Sequence, residues 1–127
     1  MTALKFYRCN KCGNIIVKVK DSGVIPVCCG DPMVEIVPNT TDAAAEKHVP
    51  VIAVSGNKVT VTVGSAPHPM EADHYIEWIV LSTEQGNQRK VLSPGDAPSR
   101  EFAIVDGDKV VCAYAYCNKH GLWSAQA

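Results

Sequence analysis

The sequence lacks a charge excess of either sign. Its 127 residues carry 12 Lys and Arg against 13 Asp and Glu, a net charge of -1. Without a basic surplus the chain has little with which to displace the counterions of a phosphate backbone, so nucleic acid is not expected as a partner. Long apolar runs are missing too: no window approaches the roughly 18 residues that a bilayer span requires. The segment before Cys9 holds no hydrophobic leader, and internal repeats and low-complexity tracts are absent. These absences lead us to expect a soluble cytoplasmic protein with no membrane association. In that reducing compartment the six cysteines read as metal ligands or free thiols, not disulfides.

Histidine is scarce, and its placement is informative. The four residues, His48, His68, His74 and His120, all lie at or near the borders of predicted strands. Pro67 and Pro69 exclude helix or central strand around His68 and hold it on a stiff loop. In Tyr114-Ala115-Tyr116-Cys117-Asn118-Lys119-His120-Gly121, a thiolate ligand and an imidazole sit where an apolar strand runs into a turn, which reads as half of a metal site. The upstream histidines supply the rest. One thiolate with four imidazoles favours a borderline metal such as iron and leaves a six-coordinate ion one external position, which implies chemistry. Glu46 and Lys47 taken alone read as a solvated charged turn. Beside such a site, Lys47 offers a positive charge and a proton to a small anionic substrate.

A second cluster lies upstream. Cys9-Asn10-Lys11-Cys12-Gly13 is a C-x2-C knuckle, and after a predicted strand at 15–20 and a turn at Asp21-Ser22-Gly23 the chain returns through Val24–Val27 to Cys28-Cys29. Four thiolates are expected to converge from the two ends of one hairpin. Neighbours in extended chain point to opposite sides, so the adjacent Cys28 and Cys29 are expected to distort a tetrahedron. Spacing alone does not choose iron over zinc.

Residues 38–41 read as a linker, and a short helix is predicted over 42–47 with Thr41 or Asp42 as its cap. Strands follow over 49–54, 59–63, 75–81, 88–92, 100–105 and 109–116, a run of short segments close to the seven of an antiparallel β-sandwich. On the last of them Cys117 shares parity with Val111, Ala113 and Ala115, while Cys112 faces the other way as a buried small hydrophobe. Trp78 and Trp123 are expected to pack. One rival reading is an electron-transfer cupredoxin with Met70 as axial ligand, which leaves two histidines idle. Another is a zinc-ribbon adaptor, which explains the first 37 residues only.

The whole chain resembles the desulfoferrodoxin family, the two-iron form of superoxide reductase. The resemblance is carried by Tyr7-Arg8-Cys9 through Ile15, Val27-Cys28-Cys29-Gly30-Asp31-Pro32-Met33, Glu46-Lys47-His48-Val49-Pro50, Val63-Gly64-Ser65, His68-Pro69-Met70-Glu71, His74 to Ile79, and Tyr116-Cys117-Asn118 with His120-Gly121 and Trp123. It implies an all-β protein: a desulforedoxin-like domain at 1–37, a linker at 38–47 carrying Glu46 and Lys47, and an immunoglobulin-like sandwich at 48–127. It further implies two irons, one on Cys9, Cys12, Cys28 and Cys29, the other on His48, His68, His74 and His120 with Cys117 axial. The implied reaction is one-electron reduction of superoxide to hydrogen peroxide without dioxygen release, with Lys47 attracting superoxide and Glu46 closing the sixth position afterwards. A homodimer and a rubredoxin-like electron donor are implied as well. Where the family commonly has Arg-Glu before Tyr-Cys, this chain has Tyr114-Ala115, so a carboxylate near the thiolate is missing. Leu122 stands where a non-ligand His is frequent.

Overall fold

Turn residues punctuate the first 37 positions so closely that the strands there are two or three residues long. The computed structural model describes residues 3–127. It divides into two units between Val37 and Pro38.

In the first unit β1 (Phe6–Arg8) runs antiparallel to β2 (Ile15–Val17) on one side and to β5 (Val34–Ile36) on the other. Between them β3 (Val27–Cys28) and β4 (Asp31–Pro32) form a hairpin of their own. This corrects the single hairpin expected from sequence. The Asp21 carboxylate accepts from Lys18 Nζ (2.6 Å), Lys5 Nζ (3.1 Å) and the Gly23 N–H (2.8 Å), which closes 18–23 as a turn in itself. Pro26 has no N–H to give a ladder, so residues 24–26 do not pair with β2. Tyr7, Cys9 and Met33, with Cys28 against them, form the buried cluster. So small a core needs ligation to hold it.

The second unit begins with a segment that is docked, not loose. Asn39 donates from Nδ2 to the Ser124 carbonyl (3.2 Å), and its Oδ1 accepts the Ser124 N–H (3.0 Å). Helix α1 (Ala45–His48) starts three residues later than expected, and Ala44 at its N-cap makes no side-chain cap. The turn is held from outside. Ala66 N–H (2.8 Å) and the Ser65 hydroxyl (3.3 Å) both donate to the Glu46 carbonyl.

A three-stranded sheet, in the order β10 (Ser99–Ala103), β7 (Lys58–Val63), β6 (Pro50–Ser55), faces a four-stranded one. The latter runs β12 (Gly121–Gln126), β11 (Val110–Cys117), β8 (Ile76–Thr83), β9 (Gly86–Val91). Alternation on β7 buries Val59, Val61 and Val63, which meet Ile76, Ile79, Leu81, Leu92, Phe102, Ala113, Ala115 and Cys117. Each fully buried Val, Ile, Leu or Phe contributes about 1.5–3 kcal/mol. Strand β12 was not foreseen; its residues Leu122 and Trp123 become strand by pairing with β11, in a register that sets Cys117 opposite Gly121.

Two bulges adjust the inner face. Because the register shifts between Val110 and Cys112, Val110 packs on the core where parity had placed Val111. The second shift sets Ile76, not Glu77, opposite Cys117. An apolar residue thereby pairs with Cys117 where strict alternation would have put Glu77.

Candidate metal centres

Each imidazole of the sandwich comes from a different piece of backbone. His48 ends α1; His68 is held by its N–H on the Val63 carbonyl (3.0 Å); His74 closes a small bridge with Glu71; His120 lies in the loop between β11 and β12. The rings form a closed circuit. His48 meets His68 (4.6 Å between centroids), His68 meets His74 (4.8 Å), His74 meets His120 (5.1 Å) and His120 meets His48 (4.9 Å), every pair edge-to-face. Within this circuit, ligand nitrogens of His48, His74 and His120 converge.

Hydrogen bonds settle which nitrogens those are. Carbonyls only accept, so His48 Nδ1–H donates to Ala44 (2.7 Å) and His68 Nδ1–H donates to Pro69 (2.6 Å). The two Nε2 atoms then face each other at 3.1 Å as lone pairs, with His120 Nδ1 3.2 Å from that of His48. His74 Nε2 is buried with no hydrogen-bond partner in the structure. Burial lowers the pKa of His48, His68 and His74, that of His68 to about 4, which keeps the rings neutral. Converging lone pairs without protons are satisfied by a cation. Cys117 joins the cluster: it is fully buried, and donor atoms of His48, His74, Cys117 and His120 all lie within 4.8 Å of one another, a group from which His68 stands apart although its Nε2 meets that of His48. Burial raises its pKa, opposed by the backbone N–H groups of Lys119 and His120. Trp123 covers the site, stacked on His48 at 5.0 Å while its indole N–H holds the His120 carbonyl at 3.0 Å.

In the first unit Cys9 and Cys12 flank the β1–β2 turn and Cys28 and Cys29 occupy the β3–β4 turn, so two separate hairpins supply the four sulfurs. The adjacent pair is not extended. Cys29 has φ +53° and Gly30 φ +76°, a two-residue turn with both positions left-handed, and it swings the Cys29 sulfur to 3.9 Å from that of Cys28. Cys12 and Cys28 sulfurs are 3.6 Å apart. A tetrahedral metal–thiolate site with bonds of about 2.3 Å has edges of about 3.8 Å, so the spacing fits an ion. The N–H groups of Cys12 and Lys11 lower the Cys9 pKa to about 6, whereas crowding by Cys12 and Cys9 raises that of Cys29 to about 12. One thiolate forms readily; a full set needs a bound cation.

Comparison with known proteins agrees with this layout. The family model for desulfoferrodoxin matches residues 40–126, and the model for the desulfoferrodoxin N-terminal domain matches 2–36. The chain belongs to the desulfoferrodoxin family. It is 50% identical to a desulfoferrodoxin of Nitratidesulfovibrio vulgaris over 97% of this chain and 96% of that one. Among solved structures, the superoxide reductase from Treponema pallidum superposes with a TM-score of 0.84 at 38% identity, covering 98% of this chain and 100% of that one. A one-iron superoxide reductase from Giardia intestinalis matches with a TM-score of 0.56 at 36% identity over 65% of this chain and 97% of its own.

The two clusters reproduce the two-iron layout of the desulfoferrodoxins. Glu46 and Lys47 are exposed on α1, immediately before buried His48. Met70 is engaged elsewhere: its sulfur accepts the Ile76 N–H at 3.5 Å and its side chain packs on the core. Ala115, where the resemblance led us to expect a carboxylate, is buried in the same core cluster as Cys117. Sequence reading assigned no role to Gly64 or Asn118. Both lie within the stretches that carry the resemblance, which was the available signal.

Proposed function

We propose that the chain is a superoxide reductase, converting superoxide to hydrogen peroxide by one-electron reduction without releasing dioxygen. The observation that carries this reading is the donor set of the sandwich, four imidazoles in a closed circuit with one buried thiol. Five protein donors would leave room for a small external ligand, and an iron held by them would supply the electron. His48, His68, His74 and His120 hold the ion, with Cys117 as the thiolate. Cys9, Cys12, Cys28 and Cys29 hold the second iron.

The exposed ammonium of Lys47 raises the local concentration of the superoxide anion and provides a proton-bearing group beside the site. The Glu46 carboxylate, exposed on the same turn, would be the group available to an iron held there once oxidised. We further propose that 1–37 and 48–127 act as separate metal domains joined by 38–47. The working form is a cytoplasmic homodimer fed by a rubredoxin-like donor. Among the described residues no helix is long and apolar enough to cross a membrane.

The test is rapid mixing of anaerobically iron-loaded protein with superoxide, following peroxide and dioxygen together. Peroxide without dioxygen is expected. Dioxygen release, or superoxide surviving at its spontaneous rate, would reject the assignment. Cys117→Ser should lose both the thiolate-to-iron absorption and the reaction.

A further inference from the structure

His48 and His68 each anchor a ring nitrogen on a carbonyl, whereas nothing comparable is seen for His74, whose Nε2 faces the site. Its ring position must therefore be set through its backbone. On one side the bridge with Glu71 holds it, with N–H to carbonyl distances of 2.9 and 3.1 Å. On the other side stands Asn118. Its Oδ1 accepts the Tyr75 N–H at 3.0 Å, its Nδ2 donates to the Asp73 carbonyl at 3.0 Å, and its own N–H donates to the Tyr75 carbonyl at 3.2 Å. One side chain thus grips the peptide groups on both flanks of His74.

Asn118 itself directly follows Cys117 and lies two residues before His120. We infer that Asn118 is a positioning residue that clamps the His74 loop to the loop carrying Cys117 and His120, fixing three of the five ligands relative to one another. The amide is suited to this because it presents one acceptor and one donor in a plane, matching a backbone N–H and a carbonyl two residues apart. Aspartate would keep the acceptor but set a negative oxygen against the Asp73 carbonyl. The ion pair between Lys119 and Asp73 spans the same two loops at 3.9 Å but is exposed, so it cannot replace the amide.

This inference rests on the reading of the sandwich site as an iron centre. Its test is iron release from the full two-iron protein to a chelator, read separately at the two centres by their absorption. Asn118→Ala should speed release from the histidine site by on the order of tenfold, the usual range for a lost support of a ligand, and leave the four-cysteine centre unchanged. Asn118→Asp, nearly isosteric, should fall between Asn118→Ala and the parent and serves if the alanine variant fails to fold. Thermal unfolding of the metal-free proteins separates the clamp from a general packing role: the variants should melt within a degree or two of the parent. Release as slow as in the parent would overturn the clamp, as would an equal loss of stability without metal. A parent protein that binds no iron at the histidines would instead overturn the site itself.

Discussion

Lys47 is exposed and directly precedes buried His48, so its charge reaches the histidine cluster while its head stays in water. A cation so placed acts on encounter more than on affinity, and its effect falls as salt shortens the Debye length from about 30 Å at 0.01 M to about 8 Å at 0.15 M. Lys47→Ile should slow the second-order reaction with superoxide and flatten its ionic-strength dependence. Equal rates for parent and variant at low salt would mark Lys47 as a surface charge only. Cys29 shows another residue-scale demand. A side chain at φ +53° costs about 1–2 kcal/mol, which ligation offsets. That adjacent cysteines point to opposite sides holds for an extended backbone, which the left-handed turn at Cys29 and Gly30 replaces.

Helix α1 is a single uncapped turn, and its place depends on the segment beneath it. A Cβ on Gly64 would sit 2.7 Å from the Glu46 carbonyl oxygen and 3.0 Å from that of Val49. Both are backbone atoms, so the helix would have to move. Gly64→Ala is therefore expected to cost about 1–3 kcal/mol, the usual range for overpacking, and to displace Glu46, Lys47 and His48 together. Lower melting temperature and faster iron loss from the histidine site should appear in the same variant, while Ser65→Ala, which removes one hydrogen bond of 3.3 Å, should be mild. A Gly64→Ala protein with parental iron retention would show that the loop yields instead. That sequence reading began the helix at Asp42 has a physical cause as well. Thr41 and Asp42 are good caps, but local preference lost to the two donors that 65 and 66 bring to the Glu46 carbonyl.

At the scale of the molecule, each unit carries a donor set that is complete without the other. Chemistry at the histidine site should accordingly survive loss of the cysteine site. Cys9→Ser is expected to release the first iron while superoxide is still reduced in a single turnover by protein whose second site remains loaded. Failure of that single turnover would make the first centre obligatory.

The residue types and their order were enough to read two metal clusters, an all-β chain and, through resemblance, its family, because donor chemistry is a property of side chains and apolar alternation is local. Cys9, Cys12, Cys28 and Cys29 of one cluster and His48, His74, Cys117 and His120 of the other could be named without coordinates. Tertiary structure alone decided how they meet. Pairing across β11 and β8 placed the bulge that sets Ile76 against Cys117, pairing with β11 made a strand of 121–126, and the two left-handed residues at 29 and 30 turned adjacent sulfurs toward one ion. Each of these depends on partners distant in sequence or on a backbone conformation that side-chain preference does not announce.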